Sequence, residues 1–486
     1  MKKICRAKQM NLLRKTETCV SKNEYLQIPA SLWCAVLLTY CLLIPLHTYN
    51  DILITAKHGY SFWTLLFEGR PLDFYFETAE MTTGNAFYPY PQNAAYLFPI
   101  YFIFAIWNFP TWLLERITGQ SLFNTIPSMI WMKLMLVPFI AASAVQIFKI
   151  VNKSERCRKH AYLAVFLFCS SILTVYPTAI IGQYDILGIP FLLIGINKWL
   201  DNDRKGFIIA FSIAMVFKYF ALLYFLPLLL FREKKIRRIM VDFILVLVPS
   251  LFFAVLFPRP EGNETNLDAI YLLLTGISVN ERVIIYGFPI TAVLVCIVAY
   301  FIQQPEGRFD QWGNYFLMII LGAFCALADP FPYWVIFAVP AFALCSVSSE
   351  NNINKVLILE TVLSWAITIK NYIIYHWCFG AATVGGMGVL HRLLRVHEPQ
   401  PSESYSVFMG SYVNLFIPVD VLESGVFNVM IVAFALLIYI ASPKRRSIEQ
   451  WEPLTLGTVY CRTIGNVVLA FLPVIYIAVH MLLIRN

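Results

Sequence analysis

Charge is what this sequence has least of: 14% of its 486 residues are Asp, Glu, Lys or Arg, against 59% hydrophobic. Such a chain cannot cover a folded surface with polar groups, which excludes water as its main solvent. Metal-binding cysteine pairs are missing too. The 11 cysteines lie singly, mostly inside apolar segments (Cys34, Cys41, Cys169, Cys296, Cys325, Cys345), with no CxxC and no pair of histidines at ligand spacing. Core packing accounts for them. A basic groove with interleaved aromatics is also absent. The net charge of +8 comes from Lys and Arg clusters set between apolar runs, such as 232–238 and 444–446. That is the pattern of the positive-inside rule, not of nucleic-acid binding. Finally, no small-residue cleavage site follows the basic N-terminal stretch (Lys2, Lys3, Arg6, Lys8, Arg14, Lys15, Lys22), so it reads as a cytoplasmic tail leading into a signal anchor.

What is present is a succession of apolar stretches from Ile28 to the C-terminus. A bilayer core takes roughly 20 apolar residues per helical crossing. Lipid offers no partner to an unpaired amide, so the expected fold class is all-α, a polytopic membrane bundle. With the tail inside, a first span over 29–48 delivers residue 49 to the outer side. The basic segments 149–159, 198–205, 232–238, 303–311, 348–355 and 442–446 must then lie inside. Two apolar stretches, 96–115 and 126–148, precede the first of these, yet only an odd number of crossings satisfies the charges. The first is read as a helix in the outer leaflet. Pro99, Asn108, Pro110 and Glu115 interrupt it, and Tyr96, Tyr101, Trp107 and Trp112 favour the interface. The alternative is an ordinary span with a hairpin at 118–124.

Further spans are expected near 126–148, 161–181, 186–199, 206–218, 220–231, 238–257, 286–302, 313–328, 333–347, 355–375, 424–441 and 463–483, about thirteen in all. The chain divides into a first module, 1–257, whose outer loop 49–125 carries juxtamembrane helices, and a second module, 258–486, with an outer loop over 258–285. A third outer loop covers 377–423. Loops this long are uncommon unless they carry function.

Sorted by side, the polar residues concentrate outside: Asp51, His58, Asp73, Glu77 and Glu80, then Gly182-Gln183-Tyr184-Asp185, then Lys218, Arg282, Asp329 and His376. The inner side offers mainly basic clusters and the triplet Asp201-Asn202-Asp203. Beside Lys198, Arg204 and Lys205 this triplet reads as a solvated helix–helix turn before it reads as a metal site.

An Asp soon after the first span, Tyr88-Pro89-Tyr90-Pro91 before an interfacial helix, Gly182 to Asp185 opening a span, Lys218 closing a later one, and Asp329-Pro330-Phe331-Pro332-Tyr333-Trp334 followed by Pro340 together resemble the GT-C superfamily. These are multi-spanning glycosyltransferases that use polyprenyl-phosphate sugars, and the likeness is closest to bacterial mannosyltransferase-like members. It is strongest over 49–238 and weak after Ser348. It rests on the order and side of the motifs, since none is specific alone. The resemblance implies a hexosyltransferase of the bacterial plasma membrane, active on its extracytoplasmic face. Such an enzyme would take a polyprenyl-phosphate-sugar donor and a glycan or glycolipid acceptor.

Transfer from a lipid phosphate needs a base for the acceptor hydroxyl and a cation for the leaving phosphate. Asp51, at the family's acidic position, is the expected base with inversion at the sugar; helix N-capping is its competing role. Asp73 is the second acidic candidate, for acceptor binding or as an alternative base, and reads equally as a solvated loop carboxylate. Glu77 and Glu80 read equally as a surface face. Lys218 in an apolar run costs about 3 kcal/mol unless it reaches an anion or a cavity, which marks it for the donor phosphate; snorkelling is its alternative. Arg282 is a further phosphate candidate. Gln183, Tyr184 and Asp185 are assigned to sugar binding, although Asp185 also suits a helix cap. Tyr333 and Trp334 are assigned to a sugar face or the isoprenoid chain, against an interfacial aromatic belt. His58 and His376 receive no role. Metal dependence stays open: a divalent cation, Mg or Mn, is compatible, but no DxD lies in the outer loops. A lipid-linked sugar flippase and a non-catalytic envelope-assembly subunit are the competing functions. No internal repeat of the transporter kind is visible.

Overall fold

The computed structural model describes residues 25–46, 50–79, 94–122, 125–258, 277–278, 284–303, 309–349, 352–375, 378, 418–443 and 454–484. Tyr88 to Pro91, Glu80, Arg282 and His376 lie outside them.

The regular structure of the described residues is helical apart from a two-residue antiparallel ladder, Ile277–Ser278 with Ile284–Ile285. In chain order the helices are α1 (Ala30–Leu46), α2 (Asn50–Phe67), α3 (Phe74–Ala79), α4 (Phe98–Thr118), α5 (Ile126–Leu134), α6 (Leu136–Lys153), α7 (Ala161–Ser170) and α8 (Ile172–Val175). After α8 come α9 (Ile189–Leu200), α10 (Arg204–Phe217), α11 (Leu222–Arg232), α12 (Ile236–Leu256) and α13 (Gly287–Phe301). The last five are α14 (Phe309–Leu327), α15 (Ala338–Ser348), α16 (Ile353–Ile374), α17 (Val419–Ala441) and α18 (Leu456–Ile484).

Among the described residues five helical segments are long and apolar enough to cross a membrane, and seven if each of two bent pairs counts as one span, against the thirteen or so expected. Phe98–Thr118, at 21 residues, is not among them. Lipid-type surface is plain on the outer helices, where Ile236, Val255 and Phe301 are more than two-thirds exposed. By contrast α14 and α15 are buried along almost their whole length.

The basic segments gather at one end of the bundle. There the Leu26 N–H donates to the Lys159 carbonyl at 2.8 Å, and the Arg232 guanidinium lies 4.9 Å from the Trp199 ring and 4.6 Å from that of Phe309. Lys234 donates to the Ala299 carbonyl. A cavity of about 660 Å³ at this end is lined by Lys153, Arg156, Asp201, Phe309, Asn314 and Ser348. The Asp201-Asn202-Asp203 triplet is a turn, as its flanking charges suggest. Asn202 takes φ 59°, Asp201 pairs with Lys153 at 2.6 Å, and Asp203 caps α10 by accepting from the Gly206 N–H at 2.9 Å.

At the opposite end α2 packs on α4. Gly59 permits the crossing, because a Cβ there would sit 2.8 Å from the Ala105 nitrogen. The Trp63 indole N–H donates to the Ala105 carbonyl at 2.7 Å. A small apolar cluster of Phe62, Phe74, Tyr75, Phe98, Tyr101 and Phe257 ties this pair to the end of α12. The helix expected over 96–115 is thus a partner of α2, and its Trp107 stacks on Trp131 of α5 at 4.6 Å.

The C-terminal helix is fastened in the core by charge. Arg462 donates to Glu360 at 3.0 Å, to Ser170 Oγ at 2.8 Å and to the Leu167 carbonyl at 3.2 Å. A buried guanidinium is tolerable only when its donors are satisfied in this way.

Candidate functional site

The site forms where helices stop short. α1 and α2 are bent by 70° about their break, and the 158–170 and 172–181 segments by 53° about theirs. The second continues from α8 as a π-helical turn, Tyr176–Ile181, and ends at Gly182 with φ 78°. That left-handed backbone suits glycine, and it turns the chain into the 3₁₀ segment Tyr184–Gly188. Short π segments recur at functional sites because their wide turn re-aims side chains. α10 likewise stops at Lys218, whose backbone is extended (φ −159°, ψ 129°) before the 3₁₀ turn Tyr219–Ala221.

These breaks bring four of the expected residues together. Gln183 donates its side-chain N–H to Asp51 Oδ2, joining the first turn of α2 to the Gly182 corner. Asp185 accepts from Lys218 at 2.9 Å in an ion pair whose side chains are 3% and 6% exposed. Asp51 lies within electrostatic reach of both Lys218 and Asp185. Two carboxylates, an amide and an ammonium therefore occupy one buried locus. Asp51 lies in the first turn of α2.

Aromatic side chains wall the locus. The Lys218 ammonium lies 4.7 Å from the Tyr96 ring centre and 5.5 Å from that of Trp334, within cation–π range. Tyr184 accepts from the Thr55 hydroxyl at 2.9 Å and meets Tyr96 edge to face at 5.3 Å. Tyr184 thereby connects the site to α2. Trp334 sits in the 3₁₀ turn Pro332–Phe337, with Phe220 at 4.9 Å. Tyr333 is buried beside it and stacks on Phe331 at 5.7 Å.

Three buried polar atoms in this locus have no hydrogen-bond partner among the described residues: Gln183 Oε1, Asp185 Oδ2 and Trp334 Nε1. Buried polar groups are nearly always paired, so three orphans within one charged cluster mark a place suited to a polar ligand. No group of three His, Cys, Asp or Glu side chains that could hold a metal ion occurs among the described residues.

Asp73 is elsewhere. It belongs to an exposed cluster around Arg70, which reaches Glu68 at 3.1 Å, Asp73 at 3.5 Å and Glu77 at 3.0 Å. Arg282 lies outside the described residues.

Two lysines matter that sequence reasoning passed over. Lys370 pairs with Asp329 at 2.7 Å, next to Tyr375, whose hydroxyl donates to the Asp329 carbonyl at 3.0 Å. Lys133 is 1% exposed and points into the first helix break. Both stand as lone cations within apolar runs. The cost of burying an ammonium in such a run was the signal available to find them.

No protein-family model matches this chain, and no curated protein matches it in sequence.

Proposed function

We propose that the chain is a multi-pass membrane glycosyltransferase of GT-C type. It moves mannose or another hexose from a polyprenyl-phosphate donor to a glycan or glycolipid acceptor on the outer face of a bacterial plasma membrane. The observation that carries this reading is the meeting of Asp51, Gln183, Asp185 and Lys218 at helix breaks, at the end of the bundle away from the basic segments. In this reading the shorter apolar helices cross as well, giving about thirteen crossings, several by helices too short to span alone in an unthinned bilayer.

In this reading Asp51 takes the acceptor hydroxyl proton as the oxygen attacks the anomeric carbon from the face opposite the phosphate. The sugar–phosphate C–O bond breaks, its electron pair leaves on polyprenyl phosphate, and the anomeric centre inverts. Gln183 holds the Asp51 carboxylate in position. Lys218 offsets the charge gathering on the leaving phosphate, sharing its three donors between that phosphate and Asp185. The Trp334 and Tyr96 rings serve the sugar face, and the unpaired Gln183 Oε1, Asp185 Oδ2 and Trp334 Nε1 meet its hydroxyls. An apolar cavity of about 460 Å³ between α11 and α13, lined by Leu222, Leu226, Pro227, Ala292, Val293 and Ile297, suits the isoprenoid chain. Its lining begins four residues beyond Lys218.

The test is transfer from a polyprenyl-phosphate sugar by the purified protein. Asp51→Asn should abolish it while leaving a folded, inserted protein; full activity of that variant overturns the assignment of the base.

A second reading, a lipid-linked sugar flippase, draws on the two broken helices, since broken helices also build transporter sites. The two readings part on the glycosidic bond. Vesicles holding the protein would carry the lipid-linked sugar across intact if it is a flippase, and would release polyprenyl phosphate if it is a transferase.

A further inference from the structure

A helix that ends inside a bundle leaves up to four carbonyls without an intrahelical donor. Lipid supplies no water to satisfy them, and they carry the negative end of the helix dipole. Two such ends face each other here, those of α1 and of the π-helical turn Tyr176–Ile181. Lys133 stands between them. Its ammonium donates to the Ile44 carbonyl at 3.0 Å, the Ala179 carbonyl at 2.5 Å and the Ile180 carbonyl at 3.4 Å. An ammonium has three donors to spread over such carbonyls, and here they reach both chain ends.

The stem of the same side chain acts on the next residue. A Cβ on Gly182 would lie 3.3 Å from Lys133 Cγ and Cε, so the lysine stem packs tightly under this left-handed corner. One residue later Gln183 reaches Asp51, which opens the helix after the α1 break. Lys133 thus braces both chain breaks, and the two residues joined above it come one from each.

We propose that Lys133 is the positioning residue of this site. It is a tethered cation that binds two helix ends together and thereby sets the Asp51–Gln183 contact. Its ammonium donates to backbone carbonyls of both chain ends, so its effect passes through the backbone. The consequence for activity rests on the glycosyltransferase reading; the consequence for the two breaks does not.

The test is hydrogen–deuterium exchange of the full-length protein in detergent or nanodiscs, comparing wild type with Lys133→Met, which keeps the stem and removes the ammonium. Exchange is expected to rise at least tenfold in the segments 44–52 and 179–186 and to stay unchanged in the control segment Ile353–Ile374. No rise in those two segments, or an equal rise in the control, overturns the proposal. Should Lys133→Met not be recovered folded, Lys133→Gln carries the same comparison. It retains two N–H donors, and a rise confined to the two segments supports the proposal while an even rise overturns it. If the wild type transfers sugar, Lys133→Met should lower kcat about 100-fold, the scale expected of a misplacement near 1 Å, with the donor KM within threefold. An unchanged kcat overturns the positioning role. A wild type without transferase activity that still gives the localised exchange overturns the function proposed above and leaves the brace standing.

Discussion

At the scale of residues, the buried pair Asp185–Lys218 decides how the site is held. Desolvating two charges costs several kcal/mol each, and removing one partner leaves the other uncompensated. Lys218→Met should therefore destabilise the folded protein by about 3 kcal/mol or more, whereas Lys218→Met with Asp185→Leu should recover most of the loss. Thermal unfolding of the three proteins in one detergent checks this; a double variant no more stable than the single would show that the pair is not a closed unit. The sequence marked Lys218 and Asp185 separately, giving the first to a phosphate and the second to a sugar. Their pairing was hidden because nothing in the spacing of two residues 33 positions apart states whether a turn will bring them to 2.9 Å. Asp73 illustrates the converse. It is as acidic as Asp51 and lies in the same expected outer loop, yet Arg70, three residues before it, claims it at the surface.

At the scale of elements, helix ends carry most of the chemistry, and the α9–α10 corner allows a clean measurement. The Asp203 carboxyl is held below its ordinary value by the Gly206 N–H at the start of α10, with Lys198 next. A carboxyl with a depressed folded value contributes stability above its unfolded value, near 4, and loses that contribution as pH falls through the folded one. The Tm difference between wild type and Asp203→Ala should accordingly be largest near neutral pH and shrink as the pH is lowered toward 3. A difference that does not change with pH would mean that the cap acts without its charge. This corner was legible from residue types alone, because Asp and Asn favour caps and turns through bonds to their own neighbouring backbone. The breaks at Gly182 and Lys218 were legible only in part. Gly182 and the motif behind it advertise a turn, but the π-helical widening before it and the lysine beneath it come from another part of the chain.

At the scale of the whole molecule, the arrangement predicts two faces with different access. With native cysteines replaced, Gln120→Cys, at the exposed end of α4, should react with an impermeant maleimide added outside intact cells. Lys205→Cys, at the basic end, should react only after the membrane is opened. Labelling of both from one side would overturn the sidedness and, with it, the reading of 96–115 as a helix that does not cross.

Apolar composition alone determined the solvent and the helical class, because hydrophobic burial and backbone pairing act on residue types summed over long windows. The same summation placed the basic clusters together, since each lies at the end of an apolar run. Tertiary structure decided which polar groups meet: Asp51 with Gln183, Asp185 with Lys218, and Lys133 with the carbonyls of Ile44, Ala179 and Ile180. Hydrogen bonds and ion pairs are lost beyond roughly 4 Å. Whether a group falls inside that limit depends on where helices break and how far they bend, and hydropathy encodes neither.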